Sequence, residues 1–464
     1  MGLFSSILKS LLPSKRRRKS KKRRRSTSVA GGGFRPSEGG SDGKVMIANL
    51  FGSGGKELSE QLAGMLSPES TVQAVFAGQT LKQNLRVGFV ERLMLANEEG
   101  RGWLEDEDAD LLIWGAMEDM GTVARLHFLS LAATQDGQPG TFGMADTLDL
   151  PVPTPADAGA LVRAATLAAL LPISRGSRRA LADRLTENLE PAKAAYAALP
   201  ADTPEECKIA ILNCLGNAYA TAFRFGNKKA GPGAFEHYRA ADKLVDMKQN
   251  PMIWSVINTH LGVMLEADAK TRKDPAAMLE AIKLYGTISK TLTRDSYPQD
   301  WALAHVRRAM AYYKLATLQA AQAQAHLTEA TRAFEEALMV YDRNQMPNRW
   351  AEVMNHYGVA QMALGGYGKS DAMLQQSIST FRKVLEVRKR DAAPLLWAQT
   401  ANNLGAACFA LAKQGKEEHL LEEASYYFQG AIKIFRKIKG QRKKAEVISK
   451  NLMRVQHMLS EDAA

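Results

Sequence analysis

The glycine-rich stretch "GSGGK" (52–56) is the first place where residue types and spacing suggest chemistry. A P-loop that binds nucleotide phosphates needs Gly, four residues, Gly-Lys and then Ser or Thr, whose hydroxyl binds Mg²⁺. Here Glu57 stands in the hydroxyl position, and Leu50 stands in the position of the opening glycine. Because a carboxylate repels phosphate, the stretch predicts a turn between a strand and a helix and no nucleotide site.

The cysteines and histidines do not show the spacing of a metal or redox site. Cys207 and Cys214 lie seven residues apart on a predicted helix, and we interpret them as small buried residues. With Cys408 the chain has three cysteines, which is typical of a reducing compartment and too few for a disulfide framework. The eight histidines form no ligand spacing. We therefore expect no catalytic residue, no metal and no cofactor, and a protein that is not an enzyme.

A segment of fixed length is repeated after residue 200. Four copies contain the pattern Pro-x-x-Trp, 47, 49 and 47 residues apart, and these patterns end at Trp254, Trp301, Trp350 and Trp397. Eight residues after each tryptophan lies a small residue, namely Gly262, Ala309, Gly358 and Gly405 in turn. Sequence repetition at such a period is the signature of a solenoid built from stacked structural repeats.

Each repeat continues with a small residue and, four positions later, an aromatic residue. The pairs are Ala281/Tyr285, Ala330/Phe334, Ser377/Phe381 and Ala424/Phe428, and an earlier copy without Trp has "NCLGNAYA" and Ala234/Tyr238. A small residue on the first helix lets the second helix approach closely, and the aromatic ring fills the gap between them. The five copies therefore predict helical hairpins, with proline between repeats and the tryptophans as packing residues.

The order Leu-Gly-x-x-Tyr/Leu, Ala-x-x-x-Tyr/Phe and Pro resembles the tetratricopeptide repeat (TPR), in an extended form of about 47 residues. The stretch "WAQTANNLGAACFALAKQG" (397–415) is similar to the first helix of that family. The resemblance covers about residues 204–440. With a helix or helix pair over 177–200 and a capping helix over 443–459, we expect an all-α solenoid over 173–460.

The TPR resemblance implies a concave groove, lined by the first helices, that binds an extended or helical peptide. Polar residues two or three positions before the small residue of each repeat are the candidates for this groove: Asn213, His260, Arg307, Asn355, His356, Asn402 and Asn403. Amide groups suit hydrogen bonding to a peptide backbone. The alternative, that these asparagines cap or bridge neighbouring helices, stays open. The two histidines occupy equivalent repeat positions, so we do not expect them to form a metal pair.

Residues 44–172 are predicted to form a small α/β domain, because strand patterns alternate with helix patterns. The predicted strands are 44–51, 71–77, 109–119 and 122–132, and the predicted helices are 54–66, about 81–99, and 155–171. The stretch "ADLLIWGAMEDMGTVARLHFL" (109–129) resembles the α/β domain at the amino terminus of TolB and related bacterial envelope proteins. That resemblance covers about 44–170 and implies a protein-interaction module without catalytic residues.

The positive charge of the chain lies in its N-terminal tail. The net charge is +12, but residues 1–44 hold 13 of the 61 basic residues and only 2 of the 49 acidic residues. The other 420 residues carry 48 basic and 47 acidic side chains and are nearly neutral. A neutral body disfavours a folded domain that grips nucleic acid through its net field.

The tail combines an apolar stripe with a dense basic run. Six apolar residues at steps 3-7-11 and 4-8-12 share one helical face, Pro13 ends that helix, and ten of the eleven residues 15–25 are basic. This combination is typical of a segment that lies on an anionic bilayer. The predicted membrane contacts are Leu3, Phe4, Ile7, Leu8, Leu11, Leu12, Lys15, Arg16, Arg17, Arg18, Lys19, Lys21, Lys22, Arg23, Arg24 and Arg25.

The tail has three other interpretations. Lys/Arg runs are also nuclear localisation signals or nucleic-acid arms, but neither role needs the apolar stripe. "MGLFSS" fits the myristoylation pattern, with Gly2 as the acceptor. The third interpretation is a disordered solubilising tail. Residues 26–43 are rich in Gly and Ser and predict a flexible linker, so 1–43 form a tail and linker ahead of the first domain.

Together these features predict a non-catalytic scaffold whose TPR groove binds a protein or peptide and whose tail binds an anionic membrane surface. No stretch approaches 18 uncharged apolar residues, and the basic run follows the apolar residues, in the reverse order of a secretory signal. With the Ala- and Gly-rich body and the TolB-like resemblance, we expect a bacterial cytoplasmic protein, peripheral at the inner face of the cell membrane. The alternative is a nucleic-acid-associated regulator that uses the tail as an arm and the repeats to recruit a protein.

Overall fold

The structure is a computed structural model, and it describes residues 43–66, 72–81, 89–132, 137–171, 175–415, 417–438 and 440–462. The predicted tail and linker up to residue 42, with every membrane-contact candidate between Leu3 and Arg25, lie outside these residues. Contacts between Cα atoms divide the chain into a first unit, which ends at Arg272, and a second unit, which begins at Lys273.

The first unit contains a five-stranded sheet. Its strands are β1 (Gly43–Ile47), β2 (Val72–Phe76), β3 (Leu111–Glu118), β4 (Val123–Ser130) and β5 (Thr147–Pro151). Their spatial order is β2-β1-β3-β4-β5. Strand β1 is parallel to β2 and β3, whereas β4 is antiparallel to β3 and β5. The sheet is therefore mixed: β4 alone of its five strands runs in the opposite direction, and β2 and β5 form the edges.

Three helices pack on this sheet: α1 (Gly55–Leu66), α2 (Phe89–Asp106) and α3 (Ala158–Ala169). The apolar run of β1 is buried, and so is that of β3, because a strand covered on both faces can bury successive side chains. Helix α2 contacts the face that presents Met46, Leu112 and Trp114. The four strands and three helices predicted from the sequence are present, although their bounds differ by several residues. Strand β5 was not predicted.

Glycine is required at two positions of the antiparallel pair β3–β4, one within the strand contact and one in the turn. A Cβ atom on Gly115 would overlap the backbone oxygen of Arg125 on the neighbouring strand, so no larger residue fits there. The predicted turn at Met120-Gly121 is confirmed, with φ of 54° at Met120 and 92° at Gly121. A left-handed backbone at both positions lets the chain reverse between the two strands.

Four helices complete the first unit: α4 (Arg175–Ala197), α5 (Glu205–Phe225), α6 (Gly231–Leu244) and α7 (Pro251–Arg272). Each packs on its neighbour in sequence, and α5 also packs on β5. The first unit therefore holds the sheet together with the first helical hairpin of the repeats.

Eight helices form the second unit. They are α8 (Pro275–Thr291), α9 (Pro298–Leu318), α10 (Ala323–Leu338), α11 (Pro347–Gly368), α12 (Asp371–Val387), α13 (Pro394–Gly415), α14 (Glu418–Lys437) and α15 (Arg442–Asp462). Successive helices contact one another along the whole series. The helical repeats predicted from the sequence are therefore present. Helix α15 covers the predicted C-terminal capping segment and buries Ala445, Ile448 and Val455.

Small residues and aromatic rings hold each hairpin together as the spacing predicts. A Cβ atom on Gly216 would lie within 2.4 Å of the Tyr238 ring, so that position has no room for a side chain. In the second unit Gly358 meets Phe381 and Gly405 meets Phe428 in the same way. All three rings are fully buried. Proline begins α7, α8, α9, α11 and α13, where its missing N–H is not needed.

No helix within the described part of the chain is both long enough and apolar enough to cross a bilayer.

Candidate functional site

A segment of the first unit, residues 137–147, lies along helix α5 as an irregular loop with turns at 139–140 and 144–145; we refer to it as the docked segment. Thr221 donates a hydrogen bond from Oγ1 to the backbone oxygen of Gly140, at 2.9 Å. About two helical turns before Thr221, Cys214 donates a hydrogen bond from Sγ to the backbone oxygen of Thr147, at 3.2 Å. Side chains of the helix thus satisfy backbone carbonyls of the segment, which is how an interaction surface binds a peptide independently of its side chains.

Close approach of the docked segment to α5 depends on Gly140. Its φ is +70°, a left-handed conformation that favours glycine. A Cβ atom at this position would overlap Thr221 Oγ1 and the backbone oxygen of Asn217. Glycine therefore meets two requirements here, one conformational and one steric.

Arg224 holds the other end of the docked segment. Its Nη1 donates to Thr141 Oγ1 at 3.1 Å and to Gln138 Oε1 at 3.5 Å. Burial lowers the pKa of the Arg224 guanidinium to about 10, and the positive charge of Arg178 acts in the same direction. The guanidinium also lies 4.7 Å from the centre of the Phe225 ring, which favours a cation.

Asp146 is the most heavily bonded side chain of the docked segment. His260 Nε2 lies 2.7 Å from Oδ1, and Asn213 donates from Nδ2 to the same oxygen at 2.9 Å. Asn217 Nδ2 is 3.5 Å from Oδ1, and the backbone N–H of Gly143 donates to Oδ2 at 2.5 Å. A carboxylate is acceptor-only, so donors from α5 and α7 and from its own loop hold it in its charged form.

These donors determine the charge state of Asp146. Burial by itself raises the pKa of a carboxyl group, because the charged form loses its hydration. The charge of His260 and the hydrogen bonds from His260, Gly143 and Asn213 outweigh that effect and lower the pKa of Asp146. The buried carboxylate therefore joins the loop before β5 to helices α5 and α7.

His127 on β4 lies beside the same loop. Its ring stacks on Trp114, with ring centres 4.5 Å apart and planes 18° apart, and it forms a hydrogen bond with the backbone of Met144. Burial lowers the pKa of His127 to about 4, and the charge of Arg125 adds to the effect. The imidazole is therefore neutral at pH 7.

The structure assigns two of the predicted groove residues a contact within the chain. Asn213 and His260 both bind Asp146, so they bind a peptide segment, but that segment belongs to the same protein. In this unit both side chains are therefore engaged with a loop of the protein itself. Their action on a separate partner stays a prediction.

In the second unit, two of the predicted residues connect helices. Asn355 Oδ1 on α11 accepts from Thr400 Oγ1 at 3.1 Å and from Asn403 Nδ2 at 3.3 Å, both on α13. Arg388 donates to the same threonine hydroxyl at 3.0 Å. The bridging role that the sequence left open thus holds for Asn355 and Asn403. Asn402 donates to Asn403 Oδ1 at 3.4 Å.

The other two candidates lie on first helices of the second unit. His356 stacks nearly parallel to the ring of Phe334, with ring centres 6.4 Å apart. Burial lowers the pKa of His356, and Glu352 opposes that shift. Arg307 is half-buried on α9. Each candidate of this unit therefore has a defined place on α9, α11 or α13, the first helix of its hairpin.

Sequence reasoning missed the docked segment altogether. A signal was present on α5, where Asn213, Asn217 and Thr221 recur every four residues and form a polar stripe on an otherwise apolar helix. A buried polar stripe requires a polar partner, which the structure supplies as Gly140 and Asp146. Among the described residues, no cluster of three or more His, Cys, Asp or Glu side chains could hold a metal ion.

Neither a protein-family model nor a curated protein matches this chain. Among solved structures, a circular tandem repeat protein with novel repeat topology and enhanced subunit contact surfaces is 15% identical, with a TM-score of 0.28, over 66% of this chain and 77% of that one. A protein from the computational design of self-assembling cyclic homooligomers is 13% identical, with a TM-score of 0.11, over 66% and 93%. Similarity at this level indicates no function for the chain.

Proposed function

We propose that this protein is a non-catalytic scaffold whose helical repeats bind an extended peptide segment of a partner protein. The observation that carries the proposal is the docked segment 137–147. There, first-helix side chains bind two backbone carbonyls and one carboxylate of a loop of the same chain. We propose that the equivalent first-helix surface of the second unit binds a segment from another chain.

The chemistry of the second unit indicates what the partner segment contains. Arg307 and His356 take the repeat position that His260 occupies in the first unit, two residues before the small residue. His260 binds a carboxylate there. Arginine and histidine at equivalent positions suit a carboxylate as well, because both donate hydrogen bonds and arginine is always charged. We therefore propose an extended partner segment that carries acidic side chains.

We also propose that the helical repeats are tetratricopeptide repeats and that the sheet belongs to a TolB-like domain. The helical hairpins agree with an extended tetratricopeptide repeat in their small–aromatic contacts, as at Gly358 and Phe381. The sheet contains strands over most of 109–129, the stretch on which the resemblance to a TolB-like amino-terminal domain rests. We propose both relationships on these features, and with them a domain that takes part in protein interaction.

In this proposal the N-terminal tail determines where in the cell the scaffold acts. Its six apolar residues and ten basic residues combine hydrophobic insertion with attraction to anionic lipid, and each basic residue near the surface contributes about 1 kcal/mol. We propose that the tail holds the scaffold at the inner face of a bacterial cell membrane. The linker 26–43 then gives the folded units reach from that surface.

Selection of peptides on the immobilised full-length protein tests the binding role. Selected peptides should be enriched in Asp and Glu. Affinity, measured by calorimetry, should fall about tenfold, or about 1.4 kcal/mol, on Arg307→Ala or His356→Ala. Arg332→Ala, an exposed arginine on α10, is the matched control and should leave affinity unchanged. Failure to select any sequence, or equal loss in the control, would rule out this surface.

Co-sedimentation with vesicles tests the tail. The full-length protein should pellet with anionic vesicles and not with neutral ones, and a variant that lacks residues 1–28 should pellet with neither. Phe4→Asp with Leu8→Asp should abolish pelleting while leaving DNA binding nearly unchanged, because only the membrane needs the apolar stripe. Pelleting by the double variant, or none by the full-length protein, would point instead to a nucleic-acid arm.

A further inference from the structure

A cavity of about 460 Å³ lies in the first unit beside strands β4 and β5. Helix α5 forms a second wall, and the loop before α7 with the first turns of α7 forms a third. This volume is in the range of pockets that bind small molecules, about 300–1,000 Å³. Thr147 and Asn213, which take part in the contacts of the docked segment, also line it.

The lining of the cavity combines apolar and charged side chains. Its apolar part consists of Ile209, Val245, Met252, Ile253, Val256 and Ile257. A molecule that fills the cavity must therefore present an apolar body to these residues, because apolar surface gains free energy when it leaves water.

The charged part of the lining has an excess of carboxylates. Asp149, Glu205, Glu206 and Asp246 line the cavity together with one cation, Arg125. Arg125 pairs with Asp149 at 2.8 Å and lies 3.7 Å from Glu206, so its charge is already shared between two carboxylates. Outside the lining, Glu118 approaches the same guanidinium at 3.9 Å. The local field therefore favours a cation over an anion.

Two buried acceptor atoms of lining residues have no hydrogen-bond partner among the described residues. Nε and Nη2 of Arg125 both donate to Oδ2 of Asp149, and Oδ1 of Asp149 has no donor. Asn213 donates to Asp146 but has no donor for its own Oδ1. These side chains are only 3% and 5% exposed. Buried acceptors usually have a donor, so both atoms indicate a donor that a ligand would bring.

We propose that this cavity binds a small organic cation with an apolar body, such as an amine or an amidine on an aliphatic or aromatic group. Its N–H groups bind the oxygens of Asp149 and Asn213, and its body packs against Ile209 and Val256. The negative field also appears in Glu206, whose pKa is raised by burial and by Asp119 and Asp149, against the effect of Arg125. A bound cation relieves that repulsion. This site is independent of the peptide-binding surface proposed for the second unit.

A charge series of nearly identical molecules tests the proposal on the full-length protein at pH 7. Benzamidine is cationic, benzamide neutral and benzoate anionic, and the three share one ring and almost one shape. Calorimetry should give a Kd of about 1 mM or tighter for benzamidine and at least about tenfold weaker binding for the other two. No binding of benzamidine, or equal binding of all three, would overturn the proposal.

Variants locate the binding. Asp149→Asn and Glu206→Gln should each weaken benzamidine binding about tenfold, and Asp391→Asn, an exposed position in the second unit, should not. Because Asp149→Asn also disturbs Arg125 and could impair folding, Ala210→Phe serves as a second variant that fills the cavity without changing charge. Unchanged binding in folded Glu206→Gln and Ala210→Phe proteins would place the ligand elsewhere and overturn the assignment.

Discussion

Replacement of Asp146 by asparagine tests whether the buried carboxylate holds the docked segment on the helices. The carboxylate accepts from His260, Asn213 and the Gly143 N–H at 2.5 to 2.9 Å. Asparagine has the same shape but replaces one acceptor oxygen by a donor NH₂. Either the Gly143 N–H or the His260–Asn213 pair must then lose its acceptor, and the charge is lost in both cases.

The expected cost of Asp146→Asn follows from these contacts. A hydrogen bond to a charged group contributes about 1.5–3 kcal/mol, and breaking a buried charge pair costs about 3–5 kcal/mol. Since the introduced amide keeps one acceptor, we expect a loss of about 3 kcal/mol at pH 7. With a urea m value of about 3 kcal/mol/M, the unfolding midpoint of the first unit should fall by about 1 M.

Hydrogen exchange at increasing urea concentration measures this midpoint for peptides from α5 and β5. Asp157→Asn is the matched control, because Asp157 is exposed and makes no side-chain hydrogen bond to the start of α3. Because the folded pKa of Asp146 is lowered, its contribution is complete above the unfolded pKa of about 3.9. That contribution is lost as the pH falls through the folded pKa. A midpoint shift below about 0.2 M at pH 7, or an equal shift in the control, would refute the reasoning.

Three further predictions concern the same contacts and the repeats. Gly140→Ala should lower the free energy of unfolding by about 3 kcal/mol, because alanine is strained in the left-handed conformation and its Cβ overlaps Thr221. Gly54 has a φ of +77° and open space around it, so Gly54→Ala should lower the free energy of unfolding by only about 1 kcal/mol in the same denaturation assay. The pKa of His127 is about 4 in the folded protein and about 6.5 in the unfolded chain, so the unfolded chain takes up the proton first as the pH falls. The free energy of unfolding of the first unit should therefore drop by about 3 kcal/mol between pH 6.5 and pH 4. His127→Phe should remove that drop, as followed by hydrogen exchange of first-unit peptides. Phe381→Ala should cost about 3–5 kcal/mol by urea unfolding of the second unit, whereas the exposed Tyr367→Ala should change its midpoint very little.

The repeats could be predicted because the residues that contact one another within each hairpin lie close together in the sequence. Gly358 and Phe381 lie 23 residues apart within one hairpin, and the same pair recurs as Gly405 and Phe428. Recurrence at a fixed period makes each copy evidence for the others. The small and aromatic positions therefore indicated the helix contacts that the structure contains.

The docked segment could not be predicted, because its contacts join distant parts of the chain. Asp146 is 67 residues from Asn213 and 114 residues from His260, and its loop has no apolar period. Strand β5 was missed for a related reason. Asp149 in its middle is polar but buried, and it lies directly opposite Arg125 on β4 in the sheet register. That pairing becomes evident only once the register is known.

The bridging asparagines show how one pattern can have two structural outcomes. Asn213 and Asn355 occupy the same repeat position, three residues before the glycine. Asn213 binds the docked segment, whereas Asn355 accepts hydrogen bonds from Thr400 and Asn403 on the next first helix. The neighbouring element, which the repeat pattern does not specify, decides which role the amide takes.

Hydrogen exchange of the full-length protein, with and without a selected acidic peptide, tests whether first helices of the second unit bind a partner segment, as α5 and α7 bind the docked segment. We expect the peptide to slow exchange in α9, α11 and α13 and to leave α10, α12 and α14 unchanged. Slowed exchange confined to the second helices of the hairpins, or no change in any of these helices, would contradict this expectation.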